Sequence, residues 1–143
     1  MSNLPTDQAI AEAVATITET TGWHTTCATV RPEGVRMAYR FLSEQSARKS
    51  VNYQHISLKH IIEAWAGSYT STSDVIAAAH ILGLKGTYPN FNISSRLYCA
   101  EVDDLPEFGR HSNYFVNSWG HQEHKHLFTD QWKAKARSKG GYL

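Results

Sequence analysis

Apolar residues recur at helical spacing in four stretches of this chain. Ile10, Val14 and Ile17 repeat every three to four positions. Thr6 is placed to cap that segment, Asp7 falls in its first turn, and Gly22 supplies a stop. After the Arg31-Pro-Glu-Gly34 turn, Val35, Ala38, Tyr39 and Leu42 mark one helical face. A hairpin strand over Val35–Leu42 is the alternative to that helix. Leu58, Ile61, Ile62 and Trp65 sit at i, i+3, i+4 and i+7, with Ser57 as cap and Gly67 as end. Ser71 or Ser73 opens the next segment, in which Val75, Ile76, Ala79 and Leu82 face inward. Asp74 lies near the positive end of that helix, and Gly83 and Gly86 close it. The short connection predicts a helical hairpin over about 57–83.

Elsewhere the period changes. His24–Val30 is rich in β-branched residues, and Thr87–Ser94 and Arg96–Val102 carry the aromatic and β-branched content of strands. Asp103–Pro106 is a turn, and Asn113–Trp119 alternates as a third strand of the C-terminal half. Thr129 caps a last helix over about 129–139, ended by Gly140-Gly141. No repeat, linker or low-complexity tract divides the chain. The expectation is one α+β domain spanning 1–143, its helical hairpin packed on a small antiparallel sheet from the C-terminal half.

Composition narrows the class. Hydrophobic residues make up 41% and charged residues 19% of 143 positions, which is too apolar for disorder and enough for a packed core. Cys27 and Cys99 alone form no disulfide framework, no secretory pattern precedes the first helix, and no run reaches the roughly 20 apolar residues of a membrane span. A reduced cytoplasm and no membrane partner are the economical expectation. The net charge of +1 hides an asymmetry. Residues 1–124 hold nine Lys/Arg against twelve Asp/Glu, whereas residues 125–143 hold five against Asp130 alone.

The run Ile56-Ser-Leu-Lys-His-Ile-Ile-Glu63, then Gly67 and Tyr69, Val75-Ile-Ala-Ala-Ala79 and Asn90-Phe-Asn-Ile-Ser94 resembles a pattern in small open reading frames of phages, prophages and plasmids. The resemblance covers about residues 53–97. It implies a mobile-element origin and a role in managing host defence or transcription. That group supplies no catalytic residues to carry over.

Each group of residues that could carry chemistry also has a plainer explanation. His121, His124 and His126, with Glu123 between them, are metal-ligand types in a polar segment, but their spacing matches no zinc module and a solvated surface explains them better. His24-Thr-Thr26 and His55-Ile-Ser57 have the His-x-Ser/Thr form of cyclic-phosphodiester hydrolases. Only 31 residues separate them, and Ser57 already has a capping role. Cys27 and His24 on a strand point to opposite faces, so they would meet as a nucleophile pair only in a turn or helix, and an inert buried cysteine is the better reading. A DNA-binding helix-turn-helix beginning at Asp74 fails because Tyr88-Pro89 stands where a recognition helix should start. Cations remain. Arg48, Lys49 and Lys59 mix with Tyr53, and Lys133, Lys135, Arg137 and Lys139 line the last helix, where they also complement its dipole.

The favoured expectation is a non-enzymatic binding module of a mobile element, without cofactor or catalytic set. A phage-encoded inhibitor of a host defence system, acting in the host cytoplasm on a host protein or nucleoprotein complex, is its concrete form. Direct nucleic-acid binding through those seven cations is one alternative, and a small His-dependent hydrolase or metal-binding protein is another. Oligomeric state is left open.

Overall fold

The computed structural model describes residues 4–21, 30–51, 53, 57–66, 68–100 and 125–138. Five α-helices lie among them: α1 (Asp7–Thr21), α2 (Pro32–Ser43), α3 (Leu58–Ala66), α4 (Thr72–Leu82) and α5 (Asp130–Ser138). A two-stranded antiparallel sheet, β1 (Gly86–Thr87) and β2 (Asn90–Phe91), completes an α+β fold. Among the described residues no helix is long and apolar enough to cross a membrane.

The helix starts follow capping chemistry. The Thr6 hydroxyl accepts from the Ala9 N–H at 3.1 Å, and the Thr129 hydroxyl accepts from the Trp132 N–H at 3.3 Å. Pro32 opens α2, where a missing N–H costs nothing. Ser71 is the N-cap of α4 and forms a reciprocal capping box with Asp74. Gly83 ends α4 in the left-handed conformation. Ser57 precedes α3 as expected, and its hydroxyl also contacts His60 Nδ1.

Both helices of the 57–83 unit form, and α2 is the helix they share. α4 packs chiefly on α2, α1 packs on α4, and α3 leans on α2. The inward face of α4 is broader than its spacing suggests. Val75, Ala77, Ala78 and Ala79 are buried, while Ile76 and Leu82 are half-buried. Small alanines let α2 approach closely. In α3 every residue from Ile61 to Ala66 is buried, Glu63 included. An aromatic chain ties three helices: Trp65 meets Phe41 edge-on at 5.3 Å, Phe41 meets Trp132 at 5.8 Å, and Trp132 stacks on Phe128 at 4.1 Å.

The strands are shorter than their composition predicts. The segment Thr87–Ser94 breaks at Tyr88-Pro89, whose peptide bond is cis, into the turn between β1 and β2. Gly86 has φ of +110°, and a Cβ there would stand 2.1 Å from the Asn90 carbonyl oxygen. Arg96–Val102 forms no ladder over its described part. Leu97 alone bridges Phe128 in parallel, and glutamine side chains replace the missing partners of the next two residues. Gln45 donates to the Tyr98 carbonyl at 2.9 Å and accepts from its N–H at 2.9 Å. Gln131 does the same for Cys99, at 2.9 Å in both directions. The Trp65 indole then donates to the Ala100 carbonyl at 2.8 Å. Side chains thus meet the buried backbone's hydrogen-bond demand without a sheet. The strands expected over 24–30 and 113–119, and the stops at Gly22, Gly67 and Gly140, lie outside the described residues, apart from Val30, which is in no strand.

Where α2 meets the start of α4, Gly34 has no room for a side chain. A Cβ there would lie 2.0 Å from Asp74 Oδ2 and 2.8 Å from its Cγ. Alanine in a helix ordinarily gains about 1 kcal/mol over glycine. Overpacking against a fixed carboxylate reverses that sign. Gly34→Ala is expected to lose about 2 kcal/mol in denaturant unfolding. A gain in stability would show that the contact yields.

Candidate anion-binding surface

Two sets of polar residues stand out from this framework, and they have different roles. The first is the buried cluster around Asp74, whose side chain is wholly inaccessible to solvent. Its Oδ1 accepts from the Arg31 N–H at 2.8 Å and its Oδ2 from the Ser71 N–H at 3.0 Å. The Thr70 hydroxyl sits between the Gly34 carbonyl at 3.2 Å and Asp74 Oδ2 at 3.4 Å, able to donate to either. Burial pushes the Asp74 carboxyl above its ordinary value, against these hydrogen bonds and the Arg31 charge. Glu63, also buried, pairs with Lys59 Nζ at 3.0 Å and accepts from the Thr70 N–H at 3.4 Å. Every carboxylate here has partners from the protein, so the cluster is a structural tie with no group left for chemistry.

The second set lies at the opposite ends of the same two helices. α2 exits into residues 44–51 and α4 exits into 83–87, and the two exits meet across Asn92. The Asn92 N–H donates to the Lys85 carbonyl at 3.1 Å, and its own carbonyl accepts from the Arg48 N–H at 2.8 Å. Its side chain completes both pairs. Oδ1 accepts from the Lys85 N–H at 2.7 Å, and Nδ2 donates to the Arg48 carbonyl at 3.0 Å. Ser94 N–H to Ser46 carbonyl, at 2.8 Å, and the antiparallel bridge Ala47–Ile93 continue the pairing. Arg48, Asn92 and Lys85 therefore stand in one row across three short segments. With neighbouring segments about 4.8 Å apart, the two cationic residues are separated by about 10 Å of backbone.

Arg48, Lys49 and Lys85 are all exposed. No Asp or Glu occurs between Gln45 and Ile62 or between Val75 and Ala100. On α2, at its N-cap and on α3 the cations are matched: Arg31 pairs with Glu33, Arg36 with Asp7, Arg40 with Glu44 and Lys59 with Glu63, whereas the exposed Arg96 donates to the Phe128 carbonyl at 3.3 Å. Among the described residues no ion pair involves Arg48, Lys49 or Lys85. Tyr53, at 81% the most exposed large hydrophobic side chain described, follows in the same loop.

The sequence-derived candidates divide accordingly. Arg48 and Lys49 lie on this surface. Lys59 does not share their state, since its ammonium holds Glu63 and lies 4.9 Å from the Tyr69 ring centroid, with Arg31 at 5.4 Å from the same ring. Lys133 and Lys135 are half-buried on α5, and the side chains of Arg137 and Lys139, like His121 and His124, lie outside the described residues. His126 is exposed, and among the described residues no group of three or more metal-ligating side chains occurs. His24, Cys27 and His55 are outside them also. Lys85 and Asn92 were missed as site residues. Their signal was the acid-free stretch after Asp74.

The fold and this surface define a small α+β domain with exposed cations on a paired loop and hairpin that have no ion pair among the described residues. Comparison with protein-family models, curated proteins and solved structures returned no match.

Two measurements check this partition. Asn92→Ala removes the side-chain bonds to Lys85 and Arg48 and is expected to lower stability by about 1 kcal/mol, while amide protection falls at Lys85, whose N–H loses its acceptor, more than at Arg48, whose N–H keeps the backbone carbonyl of residue 92. For Asp74, a raised folded-state pKa makes its contribution greatest below the ordinary value of 3.8 and lost as pH rises through the folded-state value. Glu33, whose own backbone N–H holds its carboxyl down, has the opposite sign and cancels in a comparison with Asp74→Asn. The stability advantage of the native protein over Asp74→Asn is thus expected to shrink from pH 3.8 upward, and a widening gap would contradict it.

Proposed function

We propose that this chain is a non-enzymatic binding module of a mobile genetic element that docks on a host nucleoprotein complex through Arg48, Lys49 and Lys85. Inhibition of a host defence system in the host cytoplasm is the form that the resemblance to phage and plasmid reading frames favours. The observation that carries the reading is the row held by Asn92, where three exposed cations stand together while the helix-borne cations Arg31, Arg36, Arg40 and Lys59 pair with carboxylates. Fixed, unneutralised charge raises encounter rates with an anionic partner and limits the entropy lost on docking. A backbone pinned on both sides of Asn92 suits that use better than cations on a free tail. Each buried ionisable group described is held by protein partners, which favours binding over catalysis.

The test is capture from a host lysate with the native protein and with Arg48→Glu/Lys49→Glu/Lys85→Glu. The native protein is expected to retain one discrete complex, and the charge-reversed variant to lose it while keeping its helical circular dichroism. Equal capture by both proteins would overturn the assignment of this surface.

A further inference from the structure

We infer that the row Arg48–Asn92–Lys85, with Lys49 and Tyr53, binds a single-stranded segment of nucleic acid, the cations on phosphates and the Tyr53 ring on a base. This rests on the proposed docking surface and names the chemistry it recognises. Three features point to a strand of nucleic acid over an acidic protein patch. The cations are spaced along a row of about 10 Å, which is a chain-like array suited to successive phosphates of one backbone. The row carries hydrogen-bonding groups and no large apolar side chain at its centre, where a protein interface concentrates its buried anchors. Tyr53 is 81% exposed in the loop that carries Arg48 and Lys49.

The position of that loop matters. A Cβ built on Gly86 would lie 3.1 Å from Val51 Cγ2, so residue 51 rests against the start of the hairpin. Tyr53 is only two residues further on, within about 7 Å of Val51 along the chain. An exposed ring in the loop that carries a cationic track offers the kind of face on which unpaired bases stack irrespective of sequence. A duplex hides its base faces and would leave the ring without a role. The Asn92 side chain is committed to backbone on both sides, so it sets the spacing of the track and does not read bases.

The test uses the full chain and a fluorescently labelled oligo(dT) of about 20 nucleotides, longer than the roughly 4–16 nucleotides that one OB-fold domain covers. Anisotropy titrations from about 50 to 200 mM salt are expected to give a log–log slope near −2, as three cations neutralising phosphates of a single strand require. Arg48→Ala/Lys49→Ala/Lys85→Ala should abolish most of that slope. Tyr53→Ala should weaken binding on the order of tenfold with the slope unchanged. Arg36→Gln, which removes a cation paired with Asp7, should bind as the native protein does. The inference is overturned if no binding occurs at low salt, if a duplex of the same length binds as tightly, or if Tyr53→Ala binds normally. When lysate capture still depends on the three cations but oligo(dT) is not bound, the docking surface stands and its partner is an acidic protein. When capture is independent of those cations, the surface itself falls.

Discussion

The carboxylate of Asp74 is the constraint on which the arrangement of this protein depends. It closes the capping box of its own helix and, 43 residues back in the chain, accepts the N–H of Arg31, the N-cap residue of α2. Two helix starts are therefore fixed to one buried group. Water cannot substitute for these bonds at a site with no solvent access, so their loss leaves unpaired donors at the cost of an unmet hydrogen bond each. Gly34 is the corollary, since only a residue without a side chain leaves space for that carboxylate. Helices α2 and α4, about 18 and 16 Å long by their rise per residue, then run side by side from Asp74. Their exits are joined again at Asn92. A pair of packed helices clamped at both ends has little freedom to splay, and the far clamp carries the exposed cations.

That geometry distinguishes charges which are numerous in the sequence but unequal in the fold. Cations on α2 and α3 are neutralised by carboxylates within reach, several of them on the same helix. Such pairs add little stability at a surface, yet they cancel the field a partner would sense. Arg48, Lys49 and Lys85 emerge from the acid-free stretches of the chain, and among the described residues none of them has an ion pair. The basic residues of α5 are a separate group, carried by a helix whose Trp132 is fully buried against Phe41 and Phe128.

Much of the helical framework was legible from periodicity. Ile10 and Ile17, Val35 to Leu42, Leu58 to Trp65 and the Ser71–Asp74 cap all lie where spacing and capping rules put them. What periodicity does not carry is the identity of a long-range partner. Asp74 reads locally as a first-turn acid, and nothing in its surroundings indicates that it reaches Arg31. The strand expectation over 87–94 was met only by the short β1–β2 pair, and that over 96–102 forms no ladder in its described part, for a related reason. β-branched and aromatic content marks chain that fits a half-buried surface, and here that surface is completed by Gln45, Gln131 and Trp65 instead of a neighbouring strand. The binding surface was half visible. Runs of basic residues drew attention to Arg48, Lys49 and Lys59 together, but the fold assigns Lys59 to Glu63 and brings in Lys85, which stands alone between Leu84 and Gly86.

The claim that α2 and α4 are clamped at both ends is tested most directly by native-state hydrogen exchange at four amides. Arg31 and Ser71 precede helices, and Arg48 and Lys85 lie beyond their ends, so none of the four N–H groups bonds a backbone carbonyl within a helix or strand ladder. With Asp74 and Asn92 holding them, all four are expected to exchange as slowly as amides within α2 and α4, through global opening. Exchange at the rate of an unstructured peptide at Arg31 and Ser71, or at Arg48 and Lys85, would contradict the clamp at that end.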